Sequence, residues 1–194
     1  MNNYDKIKEL VLNNKGIAYA KDIEKLGIHP QFLNDLENKG YLKRIMKGIY
    51  VKSDVDVNEF WLFSERYKNG IYSHNTALYF YGMTDRTPMK LDMTFPSNNR
   101  VKNEYLHIHY IKNENHKLGA TKLKLEDDTE INIYNIERTI CDIIRDRNKI
   151  DPQIFNSAMN EYIKKKNKNL VLLYEYAKIF KIEKILAQYM EVLG

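Results

Sequence analysis

Between Lys39 and Lys52 the chain carries Lys39, Lys43, Arg44, Lys47 and Lys52 with no acidic residue among them. A one-sided cluster of this kind suits a phosphate backbone, because each neutralised phosphate releases condensed counterions. Just upstream, Gln31, Asn34, Asp35, Asn38 and Lys39 recur at the spacing of one helix face, with His29 leading into it. Gln and Asn can pair bidentately with adenine in the major groove, and Asp can accept from cytosine. Gln31 and Asn34, near the start of that face, are the expected base readers. Lys43, Arg44 and Lys47 are the expected backbone grip that fixes register. The competing reading is a solvated polar face on a protein-interaction module.

Other residue types bear on catalysis. No glycine-rich phosphate cradle and no serine nucleophile elbow occurs. His107 and His109 stand two apart on one side of a strand, as a metal pair would, but a third ligand at matching spacing is missing, so ordinary strand histidines are the expectation. Asp92 together with the carboxylates of Glu126 to Glu130 suggests a second enzyme idea, a winged-helix nuclease holding a divalent metal. Asp127 and Asp128 fall in a predicted turn, where acidic residues have local reasons to be. Cys141, the single cysteine, lies on the apolar side of a helix and reads as packing. The expectation is therefore a protein without catalytic residues, metal or cofactor.

The elements that must position these residues can be read from periodicity. Ile7, Leu10 and Val11 mark a first helix over Tyr4 to Leu12. Ala20, Ile23 and Leu26 mark a second, ended by Gly27; Pro30 opens a third with Phe32, Leu33 and Leu36, closed by Gly40. Tyr41 to Met46 and Ile49 to Lys52 are strand-like runs joined at Lys47-Gly48. Helix, glycine turn, helix and hairpin together predict a winged helix-turn-helix. Ser53 to Asn58 reads as a linker, which places a DNA-binding domain over 1–54 and a second domain over 58–194.

In the second part a helix is expected from Asn58 to Asn69, with Trp61 a buried anchor, and another from Ser73, its cap, to Gly82. Strands follow at Leu91–Phe95, Leu106–Ile111, Thr121–Leu125 and Glu130–Tyr134, with a polar loop carrying Arg100 and Lys102 and a mobile-looking one holding His116. Tyr134 to Arg145 is a helix on which Glu137 and Asp142 pair with Arg138 or Arg145 as a surface effect. Asp151-Pro152 starts a helix that runs to Lys164, and two more follow, Leu170–Phe180 and Glu183–Leu193. The fold class is thus α+β: a winged helix-turn-helix, then a mixed domain with a small sheet framed by helices.

Across 194 residues the formal net charge is +5, with the excess toward the two ends and residues 55–150 balanced. That favours an anionic partner. A lone cysteine allows no intramolecular disulfide, the N-terminus lacks a signal-peptide core, and no apolar run reaches bilayer length. A cytoplasmic protein with no membrane partner is expected.

Three segments, KGIYVKSD, YSHNTALYFYGMTDRTPMKLDMTFP and YNIERTICDIIRDRNKIDP, carry a resemblance in their order and spacing across residues 16 to 152. In them the chain resembles the AbiEi-type antitoxins, the regulatory partners in type IV toxin–antitoxin and abortive phage-infection operons. The resemblance implies a transcriptional autorepressor that binds repeats in its own promoter through the winged domain. It also implies that the second domain counteracts a co-encoded AbiEii-type nucleotidyltransferase toxin without a tight complex. Basic surface on the second domain would join in DNA contact, with Arg86, Arg100, Lys102, Arg138 and Lys164, Lys165, Lys166 through Lys168 as candidates. Ser73, His74, Asn75, Thr76 and Asp92 match the family pattern and read as polar contacts between helix and sheet.

Overall fold

A computed structural model describes residues 2–193. These fall into two compact units, one ending at Leu62 and one beginning at Phe63.

The first unit starts with α1 (Asn3–Asn13), whose N-cap Asn2 and Asp5 form a reciprocal capping box. Strand β1 (Ile17–Tyr19), α2 (Ala20–Lys25), α3 (Gln31–Asn38), β2 (Leu42–Met46) and β3 (Ile49–Lys52) follow. The sheet is antiparallel in the order β1-β3-β2. Ile7, Val11, Ile23, Leu33, Leu36 and Leu42 close the core between helices and sheet. The expected winged helix-turn-helix is present. Strand β1 is an addition to the expected elements: it is three residues long, too short for alternation to show, and it exists because Ile17 and Tyr19 pair with Val51 and Ile49.

Helix α4 (Glu59–Arg66) runs across the boundary, and the second unit goes on with β4 (Ile71–Tyr72), α5 (His74–Phe80), β5 (Leu91–Pro96), β6 (Leu106–Ile111), α6 (Asn113–His116), β7 (Ala120–Lys124), β8 (Glu130–Tyr134), α7 (Ile136–Arg145), α8 (Pro152–Lys164), α9 (Leu170–Phe180) and α10 (Glu183–Leu193). Its sheet is mixed, in the order β6-β5-β4-β8-β7. Pairing is parallel for β5–β6 and β4–β8 and antiparallel for β4–β5 and β7–β8. Helices α5, α7, α8, α9 and α10 share an apolar core that includes Leu78, Ile140, Met159, Tyr162, Leu173 and Leu186. Trp61 is buried, as its apolar neighbours implied.

Several local expectations change. Helix α4 stops at Arg66 rather than Asn69, because the chain must turn into β4. There Gly70 lies so close to the sheet that a Cβ would stand 2.7 Å from Met93 Cε. Ser73 is at the N-cap of α5, but its hydroxyl accepts from Thr94 Oγ1 at 2.8 Å instead of capping the helix. His116 is not in a mobile loop; it is buried in α6 and its Nε2 lies 3.3 Å from the Thr94 carbonyl.

The largest departure is Arg138. It is fully buried, and so is Asp142, which accepts from Arg138 Nε at 3.0 Å and from Arg145 at 2.8 Å. This is an interior pair, not a surface one, which also removes Arg138 from the candidates for DNA contact. Its Nη1 donates to the carbonyls of Asn115 and Leu118 at 2.9 and 2.7 Å, and its guanidinium lies 3.9 Å from the Tyr134 ring centroid. Nearby Glu137 is also buried and accepts from the Asn169 N–H at 2.9 Å.

Arg138→Ala leaves Asp142 with its interior partner gone and should lower unfolding free energy by about 3–5 kcal/mol, measured by urea denaturation. Burial holds the His116 imidazole below its ordinary pKa. The unfolded chain therefore binds the extra proton first, so His116 should cost stability as pH falls below about 6.5. Melting temperature followed downward from pH 7 should drop, and the His116 share of that drop should be missing in His116→Gln.

Candidate nucleic-acid interface

Helix α3 buries Leu33 and Leu36, which turns Gln31, Asn34, Asp35 and Asn38 to the opposite side. The turn before it depends on Gly27 in the left-handed region (φ +72°) and on Ile28, which plugs the core. His29 caps the helix start: its Nδ1 accepts from the Gln31 N–H at 3.1 Å. That ring nitrogen is therefore engaged with the backbone, although the residue is exposed.

Two tyrosines grip the flanks of the polar face. Tyr50 on β3 donates to Asn34 Oδ1 at 2.6 Å, and Tyr4 on α1 donates to Asp35 at 3.0 Å. The Asp35 carboxylate in turn raises the Tyr4 phenol above its ordinary pKa. Asn34 and Asp35 are half-buried as a result, while Gln31, Asn38 and Lys39 stay exposed. Asp35 turns Oδ2 to Tyr4, and its Oδ1 accepts from the exposed Gln31 Nε2 at 3.4 Å. Lys39 lies over the Tyr4 ring at 4.2 Å. The exposed uncharged polar side chains of this face are thus Gln31 and Asn38.

On the hairpin, Arg44 and Lys47 are exposed and Lys43 is half-buried opposite Val51. The turn is only Lys47-Gly48, with a register shift between Arg44 and Met46, so the wing is short. Glu37 accepts from the Arg44 N–H at 3.3 Å and ties helix to wing. Lys52 pairs with Asp54 at 2.6 Å, whereas no ion pair engages Lys43, Arg44 or Lys47 among the described residues.

In the second unit the basic candidates divide. Lys102 and Lys166 are exposed. Lys164 pairs with Glu161 at 2.8 Å, and Lys165 donates to the Tyr81 carbonyl at 3.0 Å, closing the end of α5. Arg86 bridges to Asp151 at 2.9 Å. Arg100 donates to the carbonyls of Ser97 and Asn99, both at 2.9 Å. It thereby holds the loop that joins two parallel strands with no helix between them.

The nuclease constellation does not assemble. Asp92 lies on β5, two strands away from β8 and farther from the turn that carries Asp127 and Asp128. In that turn Asp128 pairs with Lys124, and Asp127 accepts from the Thr129 N–H at 2.9 Å. Asp92 is buried and instead meets the two strand histidines, His109 at 2.8 Å and His107 at 3.7 Å. Helix-to-sheet polar contacts do run through this region, with Thr76 Oγ1 accepting from the Asp92 N–H at 2.8 Å. Cys141 is buried and its thiol is pushed up to about 12 by burial, in keeping with a packing role.

A family model described as "Transcriptional regulator, AbiEi antitoxin" matches residues 5–51, the span from α1 into β3. This module is similar to the AbiEi antitoxin regulators. The resemblance expected from the sequence therefore holds over the winged helix-turn-helix. Among solved structures, the chain is similar to the crystal structure of RV2827C protein from Mycobacterium tuberculosis. The TM-score is 0.61 with 13% sequence identity, covering 92% of this chain and 72% of that one. At that identity the likeness speaks for the fold alone. No curated protein matches the sequence. Among the described residues no helix is long and apolar enough to cross a membrane.

Tyr50→Phe removes one hydrogen bond and releases Asn34. It should cost about 0.5–1.5 kcal/mol in denaturant unfolding, with the far-ultraviolet spectrum of the folded state unchanged.

Proposed function

We propose that this protein is the antitoxin and autorepressor of a toxin–antitoxin operon, and that it binds duplex DNA of its own promoter through α3 and the β2–β3 wing. The observation that carries this reading is a coincidence of place. The stretch matched by the AbiEi regulator model is the one whose helix face leaves Gln31 and Asn38 exposed beside Lys43, Arg44 and Lys47. In this reading Gln31 and Asn38 meet base edges, Asn34 contributes through its amide, and the wing cations grip phosphates. His29, Asp35 and Lys39 frame the helix, and exposed Lys102 and Lys166 are the second unit's best-placed cations for a DNA contact. The second unit opposes a co-encoded nucleotidyltransferase toxin without a stable complex. The DNA-binding face acts without a cofactor.

The test is a titration against upstream DNA from its own operon and a scrambled duplex at several salt concentrations. Preference for the native duplex with steep salt dependence is expected; equal binding to both would overturn sequence reading. Lys43→Ala, Arg44→Ala and Lys47→Ala should weaken binding to every sequence and flatten the salt slope by roughly one for each phosphate no longer neutralised. Gln31→Ala should instead relax preference at one base step, by about 1–3 kcal/mol. For the antitoxin part, co-expression should rescue growth against the toxin while the two proteins elute separately in size-exclusion chromatography.

A further inference from the structure

A second constellation stands apart from the winged module, in the unit that begins at Phe63. His74, the first residue of α5, has φ +45° in the left-handed region, which side-chain-bearing residues rarely adopt. Such strain persists only where the surroundings over-determine it. The His74 side chain is 5% exposed, and its ring stacks on His109 of β6 with centroids 3.6 Å apart. Its Nε2 lies 3.1 Å from Asp146 Oδ2, just past the end of α7, and its Nδ1 lies 3.0 Å from Ser73 Oγ. His109 Nε2 meets Asp92 Oδ1 at 2.8 Å. One donor atom each from His74, His109 and Asp146 lie within 4.8 Å of one another.

We propose that His74, His109 and Asp146 form a binding site for a divalent transition-metal ion of the zinc class, with Asp92 as the carboxylate that orients His109. Two imidazoles and one carboxylate are a borderline nitrogen–oxygen set that suits zinc over magnesium or calcium, which favour oxygen throughout. Metal–donor bonds of about 2.0–2.1 Å at tetrahedral angles put neighbouring donor atoms about 3.3 Å apart. The 3.1 Å between His74 Nε2 and Asp146 Oδ2 fits such an edge. The Asp92–His109 contact is the carboxylate–histidine arrangement that fixes a ligand tautomer, and it leaves His109 Nδ1 for the metal.

A further observation concerns the carboxylate behind His109: among the described residues Asp92 Oδ2 is buried without a hydrogen-bond partner, which leaves that carboxylate only partly satisfied by the histidine. Asp146 has a cation within reach in Lys149, at 3.4 Å on a side chain that is 82% exposed. Two carboxylates bear on one pair of stacked imidazoles, and a divalent ion between them would balance that charge. One adjustment is required. Parallel rings cannot both hold the ion in their planes, so one must turn. His109, on an edge strand and 28% exposed, is the ring with room to do so. Three protein ligands leave a further position for water.

The full chain, treated with EDTA and dialysed, is titrated with cobalt(II), whose visible absorption reports the coordination shell, and cobalt is then displaced with zinc. One equivalent per chain should bind saturably and exchange for zinc. His109→Ala and Asp146→Asn should each weaken cobalt affinity about tenfold or more, as expected for missing ligands, and Asp92→Asn by roughly 10–100-fold. His107→Ala, at a side chain 62% exposed and outside the trio, should leave affinity unchanged. Circular dichroism of each variant separates ligand removal from misfolding, and Asp146→Asn, at a partly exposed site, remains decisive if His109→Ala does not fold. Absence of saturable binding by the parent chain, or equal affinity in folded His109→Ala or Asp146→Asn, would overturn the site. The titration contains no DNA, so its result is separate from that of the promoter experiment.

Discussion

The buried pair of Arg138 and Asp142 is the constraint around which the second unit is arranged. A guanidinium with no solvent contact must find its partners inside, and here they come from several directions. Asp142 lies one turn along α7, two carbonyls close the α6–β7 connection, and the rings of Tyr134 and Phe180 cover the faces. The backbone accommodates this by close approach. Gly119 has φ +74°, and a Cβ there would stand 2.6 Å from Arg138 Cβ. The charge thus links the end of the sheet, α7 and the C-terminal helices through contacts that a hydrophobic residue of similar volume could not reproduce.

In the first unit the corresponding devices are hydrogen bonds from two phenols at the edges of one helix. Tyr4 and Tyr50 reach α3 from α1 and from the wing, so the polar face is held by the elements on either side of it. A helix of eight residues is too short to persist on its own. Its orientation comes from Leu33 and Leu36 beneath and from these two phenols beside it. Pre-ordering of this kind lowers the entropic cost of presenting Gln31 and Asn38 to a partner.

How much could be read from the sequence varied with how local the cause was. Asp151 announces α8 as a cap whose side chain does accept from a helix N–H group, whereas the Asn135 cap of α7 shows only in the structure. The α9 and α10 limits and the β2–β3 hairpin followed from periodicity and a Lys-Gly turn. Strands β1 and β4, three and two residues long, carry no alternation and are defined by partners far along the chain. Burial of Arg138 and His116 was not legible either, since a basic residue on a helix reads as surface until the tertiary partners are known. On the polar face of α3, composition could not show that Asn34 and Asp35 are held by tyrosines. The His74, His109 and Asp146 trio was hidden for the same reason: its members come from three places in the chain, and only the fold brings them together.

The order β6-β5-β4-β8-β7 leaves β7 at one margin of the sheet. An unpaired margin is a template for strand addition between molecules, and the usual defence is charge. Strand β7 has that defence: Thr121, Lys122 and Lys124 are exposed, and both lysines are held in place by carboxylates, Glu130 from across the hairpin and Asp128 from its turn. A second copy approaching edge-on would have to strip and bury those ion pairs. The same charges that pin this hairpin therefore disfavour strand addition along its outer edge.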